Sequence, residues 1–213
     1  MENQKIYVFD LDGTLVDSMS RYAAGMVAIL DEAGISYGND LIKIITPLGY
    51  TKTAEYYINN LGLEGTVAGV VSRMEEKLVF EYSNNIRAKA GVSEYLHRLA
   101  ADGARLFVLT ASPHIVTDVC LKKNGLYDLF EMVWSVEDFG LSKSDTPLFY
   151  EVARRIGCER GEINYFDDSL IALANAKKSE YVTYAVYDRH TPDEVEKMKR
   201  EHDVFVRSFE DMK

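Results

Sequence analysis

The chain has 213 residues, 24 Lys+Arg against 34 Asp+Glu for a formal net charge of −10, and 47% hydrophobic residues. That apolar share excludes a disordered chain, and the length allows one large domain or one domain carrying an insertion. The acidic balance counts against a nucleic-acid partner, because the basic pairs Lys122–Lys123 and Lys177–Lys178 are short, isolated and read as solvated helix faces.

At the N-terminus, Met1–Lys5 supplies no basic flank, and the apolar run Ile6–Phe9 stops at Asp10. A signal peptide needs about 7–15 apolar residues and a membrane helix about 20, so a cytoplasmic protein with no membrane partner is expected. Ile6–Phe9 has strand length and is followed at once by Asp10-Leu11-Asp12-Gly13-Thr14. The next strand pattern comes only at Leu106–Leu109, whereas a strand–helix–strand unit needs about 30 residues. The surplus, roughly Val16 to Ala88, is helical. Met19, Tyr22, Ala23, Met26, Val27, Leu30 and Ala33 repeat with helical period, as do Val67, Val70, Val71, Met74 and Leu78. Gly34, Gly38, Gly62 and Gly65 punctuate the pieces.

After the surplus, strands and helices alternate. Helices are expected at Val92–Ala101, Ile115–Asn124, Pro147–Ile156 and Leu170–Lys178, and further strands at Met132–Trp134, Ile163–Phe166, Val182–Val186 and Val204–Val206. This alternation predicts an α/β fold: a doubly wound parallel sheet with a Rossmann-like core (1–15 and 89–213) and an inserted α-helical cap (16–88). Cys120 and Cys158 have no framework spacing and read as small buried hydrophobes of a reducing compartment.

Chemistry-bearing residues fall at the ends of these strands. Asp10 and Asp12 follow the first, Thr110-Ala111-Ser112 the second, Asp167-Asp168-Ser169 the Ile163–Phe166 strand, and Lys143 lies in the loop after Met132–Trp134. Ligands of an open parallel sheet bind beyond the carboxyl ends of its strands, so these groups converge on one crevice. Singly, each has a plainer reading. Asp12-Gly13 can be a turn, Asp168 or Ser169 a helix cap, Thr110 a strand former, and Lys143 a solvated charge. Together, four carboxylates would repel one another in a low-dielectric crevice, and a hard divalent cation such as Mg²⁺ resolves that repulsion. An EF-hand Ca²⁺ loop is a poor alternative, because it needs Gly at its sixth position between helices, whereas Gly13 is fourth and follows a strand.

Asp-Leu-Asp-Gly-Thr-Leu at 10–15, Thr110, Lys143 and Asp-Asp-Ser at 167–169 resemble the four signature motifs of the haloacid dehalogenase-like superfamily. Gly91-Val92 opening a helix and Phe149 six residues after Lys143 extend the likeness over essentially the whole chain. It is strongest to the cap-bearing phosphatases similar to phosphoglycolate phosphatase and β-phosphoglucomutase. The resemblance implies a phosphoric monoester hydrolase acting on a small phosphorylated metabolite. In it Asp10 is the nucleophile that forms an aspartyl-phosphate, and Asp12 is the general acid and then base. It implies Mg²⁺ held by Asp10, the main-chain carbonyl of Asp12 and Asp168, with Asp167 assisting. Thr110, Ala111, Ser112 and Lys143 would bind the phosphoryl group. The second aspartate, Asp12, argues against dehalogenation, which has no alkoxide to protonate.

Three positions depart from the family pattern. Lys143-Ser144-Asp145-Thr146 stands where Lys-Pro-x-Pro is usual, Ala172 stands for a Gly, and a second Gly is missing near Ser179–Glu180. None removes a catalytic group.

Selectivity is expected from the cap. The loop Pro47–Lys52 resembles the family's specificity loop, which nominates Tyr50 and Lys52; Arg21 early in the first cap helix and His114 at the rim are further candidates. Tyr22 reads as core, because it lies on the apolar stripe. Two alternatives stay open: a phosphomutase of the β-phosphoglucomutase type, and a non-catalytic module that binds phosphorylated metabolites. The first would want a histidine and basic residues where Ser18–Tyr22 offers only Arg21; the second has no use for the Asp10/Asp12 pair. A monomer or weak homodimer is expected.

Overall fold

β1 (Ile6–Phe9) is buried along its whole length because it runs through the middle of the sheet. The computed structural model describes residues 4–212; Met1–Asn3 and Lys213, at the ends of the expected core segments, lie outside them. The other strands are β2 (Arg105–Thr110), β3 (Met132–Ser135), β4 (Ile163–Asp167), β5 (Val182–Val186) and β6 (Val204–Val206). Their order is β3-β2-β1-β4-β5-β6 and every neighbouring pair is parallel.

The helices are α1 (Met19–Glu32), α2 (Leu41–Ile45), α3 (Tyr50–Leu61), α4 (Val67–Asn84), α5 (Val92–Ala101), α6 (His114–Lys123), α7 (Thr146–Ile156), α8 (Leu170–Lys178) and α9 (Val195–Glu201). Strand side chains alternate between faces, so β1 sends Tyr7 and Phe9 to one layer and Ile6 and Val8 to the other. The first layer is closed by Val92, Leu96, Val116 and Leu121 of α5 and α6, the second by Phe149, Val152 and Leu173 of α7 and α8. Helices cover both faces, as parallel sheets require.

Helices α1 to α4 all lie between β1 and β2. Their stripes (Met26, Leu30, Met74, Leu78) bury against one another and continue into the α6 side of the sheet without a break. Gly25 allows α1 and α4 to meet, since a Cβ there would lie 2.3 Å from Leu78 Cδ2. The chain enters and leaves this helical segment through two adjacent extended segments that share one antiparallel bridge, Val16 to Ala88. Asp17 N–H donates to Arg87 O at 3.0 Å and Lys89 N–H to Leu15 O at 2.9 Å.

The structure corrects the Pro47–Lys52 loop: Tyr50, Thr51 and Lys52 form the first turn of α3, which Gly49 opens with φ 81°. Helix α3 was hidden because its buried stripe is Tyr50, Thr53, Ala54 and Tyr57, half of it polar-tipped. Helices α2 and α9 are too short for periodicity to reveal. Cys120 is buried as expected, whereas Cys158 is only half-buried.

Candidate active site

Parallel register brings the two acidic segments together. Phe9 pairs with Phe166, and Asp10 N–H extends the ladder by donating to Phe166 O at 2.8 Å, so Asp10 and Asp167 leave the sheet side by side. Thr110 ends the strand on the other side of β1. Asp10, Asp12, Thr110, Ser112, Lys143, Asp167 and Asp168 are all buried at this sheet end.

Lys143 places its ammonium between two carboxylates, donating to Asp10 Oδ1 and, at 2.8 Å, to Asp167 Oδ2. Burial opposes its charge, but Asp10 and Asp167 outweigh that and hold it above the usual lysine value. Without prolines, the Lys143 loop is shaped by hydrogen bonds. Asp145 Oδ2 accepts from Ser142 N–H at 2.8 Å and its hydroxyl at 2.9 Å, and Asn175 Nδ2 donates to Lys143 O at 3.3 Å. Lys143 N–H itself donates to Pro47 O at 3.1 Å.

Asp167 is saturated: besides Lys143 it accepts from Tyr165 OH at 2.5 Å and Ser169 N–H at 2.7 Å. Asp168 is nearly free, with only a 3.5 Å contact from Thr14 Oγ1. Burial first, then Asp167 and Asp10, raises the Asp168 carboxyl well above its ordinary value. The Asp10 carboxyl is raised as well: burial, Asp167 and Asp12 together outweigh the lowering by Lys143. Beside burial, the largest cause, both shifts carry repulsion from neighbouring carboxylates.

That repulsion and the donor set fit a hard cation. Oxygens of Asp10, Asp167 and Asp168 lie within 4.8 Å of one another, and the ligating atoms are carboxylate oxygens throughout. Gly13 keeps this corner open: at φ +77°, an added Cβ would lie 2.3 Å from Asp168 Oδ2.

Asp12 sits apart from that cluster, held by two hydroxyls. Ser112 Oγ donates to Asp12 Oδ2 at 2.6 Å, and Tyr82 OH, reaching down from α4, donates to Oδ1. Ser112 N–H in turn donates to Thr110 Oγ1 at 3.1 Å. Thr110, Ala111, Ser112 and Lys143 line one pocket with Asp10, Asp12 and Asp168, and Tyr22, Thr46 and Pro47 roof it from the helical segment. Its volume is about 10 Å³, room for one water. Such a site can attack with one carboxylate, transfer a proton with a second, and compensate anionic charge with Lys143 and a cation.

The candidate specificity residues are placed differently. Arg21 pairs with Glu81 at 3.2 Å, and Lys52 with Asp145 at 2.7 Å. His114 lies 3.0 Å from Asp138 and 3.3 Å from Asp118; burial opposes its protonation but the two carboxylates outweigh it and raise its pKa. None of the three lines the pocket, whereas Tyr22 does. Tyr50 is fully buried beside Ser112 and lies outside the pocket lining. Sequence reasoning missed Tyr82 and Tyr165. Tyr82 was legible as the next step of the Val70, Met74, Leu78 stripe, where a tyrosine carries a hydroxyl into the core.

The chain is 23% identical over 176 residues to the Bacillus subtilis protein YhcW, covering 82% of this chain and 80% of that one. It is 20% identical over 172 residues to a phosphorylated carbohydrates phosphatase of Thermotoga maritima, covering 81% and 80%. Its fold matches CbbY of Rhodobacter sphaeroides, solved in complex with phosphate, with a TM-score of 0.80 at 15% identity, over 99% and 96% of the two chains. The profile described as haloacid dehalogenase-like hydrolase matches residues 7–186, from the first strand through the last acidic loop to the end of β5. With that span and with the Asp10, Thr110, Lys143 and Asp167-Asp168 corners meeting at one sheet end, the chain belongs to the haloacid dehalogenase-like hydrolase family.

Proposed function

We propose that this protein is a Mg²⁺-dependent phosphatase that hydrolyses the monoester of a small phosphorylated metabolite through an aspartyl-phosphate. The observation that carries the reading is the division of labour among its buried carboxylates. Asp10 leans on Lys143 through one oxygen, and its Oδ2 accepts no hydrogen bond from the described residues. Asp12 is held separately by Ser112 and Tyr82.

Asp10, Asp168 and the main-chain carbonyl of Asp12 would hold Mg²⁺, while Asp167, tied to Lys143 and Tyr165, orients the lysine. Bound there, the ion neutralises phosphoryl charge so that an anion can attack. Asp10 forms a bond to phosphorus as the ester P–O bond breaks, and Asp12 gives its proton to the departing alcohol oxygen. Asp12 then takes a proton from water as that oxygen bonds to phosphorus and the bond to Asp10 breaks. This returns the Asp10 carboxylate and inorganic phosphate. Lys143, Thr110 and the main chain at Ala111 and Ser112 hold the phosphoryl oxygens throughout.

The segment 16–88 acts as a cap. With about 10 Å³ in the pocket, it must lift to admit substrate and close to exclude water. A phosphomutase reading gains nothing from this geometry, since Arg21 is engaged by Glu81 outside the pocket lining.

Phosphate release from a panel of phosphate monoesters, with and without Mg²⁺, tests the proposal. Turnover should need the metal and fall to background in Asp10→Asn, while Asp12→Asn should lose about 10²–10⁴-fold in kcat. Metal-independent turnover, or full activity in Asp10→Asn, would overturn it.

A further inference from the structure

Apart from the candidate active site, the protein has a second and larger opening of about 340 Å³. It lies where the chain entering and leaving the helical segment meets the loops after β5 and β6, beyond the carboxyl ends of those strands. Its charge is unlike that of the whole chain. Arg87, Lys89, Arg189 and Arg207 line it with only Asp17 and Asp188 opposed to them, in a protein of net charge −10.

Two of those cations are already engaged. Arg189 pairs with Asp17 at 3.1 Å and Lys89 with Asp188 at 2.9 Å. Arg87 and Arg207 are not: among the described residues, neither donates a side-chain hydrogen bond or pairs with a carboxylate. Every other arginine of the chain holds a carboxylate or, for Arg98, a main-chain carbonyl. Solvated surface arginines would be scattered, whereas these two share one cavity in a chain with 34 acidic side chains to pair with.

Both are fixed at the cavity wall. The Arg207 guanidinium lies 4.8 Å over the Tyr187 ring, which sets its plane and leaves its N–H edge free. Arg87 is anchored by its main chain, whose carbonyl accepts from Asp17 N–H at 3.0 Å. A guanidinium is a planar fork of donors that matches phosphoryl oxygens two at a time. Two such forks carry two unspent positive charges, which match one phosphoryl dianion. A cavity of about 340 Å³ is small for a ligand site, so the phosphoryl group would come alone or on a small body. The overall negative charge is no obstacle, because distant charges are screened over about 8 Å.

We propose that this cavity is a second anion site, separate from the candidate active site, in which Arg87 and Arg207 hold one phosphoryl dianion. Arg87 belongs to the chain leaving the helical segment and Arg207 directly follows β6, so the bound group braces one against the other. Lys89, on the same wall, donates to Gly13 O and so links the brace to the loop that carries Asp10 and Asp12.

Calorimetric titration of the protein in EDTA, at constant ionic strength, with inorganic phosphate, methylphosphonate and acetate tests the site. Methylphosphonate carries the dianion on a carbon that ester hydrolysis cannot remove, so phosphate binding without it would assign the site to the free ion. Acetate should bind at least about tenfold more weakly than phosphate, because one negative charge leaves a guanidinium unmatched. Arg87→Gln and Arg207→Gln should each weaken phosphate binding by about tenfold or more, the scale of one charge-assisted hydrogen bond. Neither residue lines the pocket at Asp10, so that loss cannot arise there. At about ten times its Kd, phosphate should raise the wild-type melting temperature by about 3–5 °C and that of either variant by about 1 °C. The unliganded melting temperatures check that both variants fold. Phosphate binding that persists in both variants, acetate binding as tight as phosphate, or no binding at millimolar phosphate overturns the site. None of these outcomes touches the phosphatase reading, which is tested by turnover.

Discussion

Gly13 and Asp168 are the clearest case of one residue deciding another's place. A Cβ at Gly13 would meet Asp168 Oδ2 at 2.3 Å, and the φ of +77° suits only glycine comfortably. Gly13→Ala should therefore push Asp168 out of the carboxylate cluster, weaken Mg²⁺ binding at least tenfold by calorimetric titration, and cost about 1–3 kcal/mol of stability through backbone strain. Glu180 is the converse. It is the one non-glycine with positive φ among the described residues, at 69°, and it lies near the place where the family pattern expects a glycine. Its carboxylate pairs only with the exposed Arg160, a contact of little value. Glu180→Gly should raise the melting temperature by about 2–4 °C, reflecting relief of roughly 1 kcal/mol of left-handed strain. A lower melting temperature would show that the pair with Arg160 matters more than the backbone.

Helix α4 carries its residue into the site by length alone. The sequence stripe stops at Leu78, yet the helix runs on to Asn84, and one more turn delivers Tyr82 to Asp12. Tyr82→Phe keeps the ring and removes one hydroxyl from a carboxylate, an interaction of about 1.5–3 kcal/mol. We expect kcat to fall about tenfold or more with KM little changed, because Asp12 would be less well aimed. An equal rise in KM would instead indicate a substrate contact. Helix α3 is fixed from its start: Gly49 lets the chain pass close to Ala111 O and Val136, and Thr51 N–H and its hydroxyl donate to Glu137 at 3.0 and 2.9 Å. In the Lys143 loop, Ser142, Asp145 and Asn175 perform by hydrogen bonding the restraint that prolines give elsewhere in the family.

Across the whole molecule, the helical segment and the sheet share one hydrophobic layer and are tied at the crossing by Lys89. Its ammonium donates to Gly13 O, to Tyr187 O at 2.9 Å and to Asp188 Oδ2 at 2.9 Å, joining the segment by which the chain leaves the helices to the loops after β1 and β5. Asp188 also accepts from His190 N–H at 2.8 Å and lies 2.7 Å from its Nδ1, while His190 Nε2 lies 2.9 Å from Ser20 Oγ on α1. Burial pushes the Asp188 carboxyl up, but Lys89 and His190 outweigh it and hold it below its usual value. A folded-state pKa below the unfolded one adds stability that is full above about pH 4 and vanishes as pH falls through the folded value. Asp188→Asn should accordingly lose about 2–3 kcal/mol at pH 7 and progressively less as pH falls below about 4 in chemical denaturation. A pH-independent difference would mean that Asp188 acts by shape, not charge.

The order of strands and helices, the insertion after β1 and the four motif corners were legible in the sequence, because each rests on local periodicity and on residues adjacent to strand ends. Which side chains face the reaction centre was not. Arg21 and Tyr22 are neighbours in the chain, yet a helix turns them about 100° apart, so the charged one meets Glu81 at the surface and the apolar-looking one roofs the pocket. Tyr50 and Tyr82 reach Asp12 and Ser112 from elements far away in sequence. Local pattern specifies elements, because backbone geometry repeats every few residues; the docking of the helical segment on the sheet decides which hydroxyls share the pocket and which cations are turned away from it.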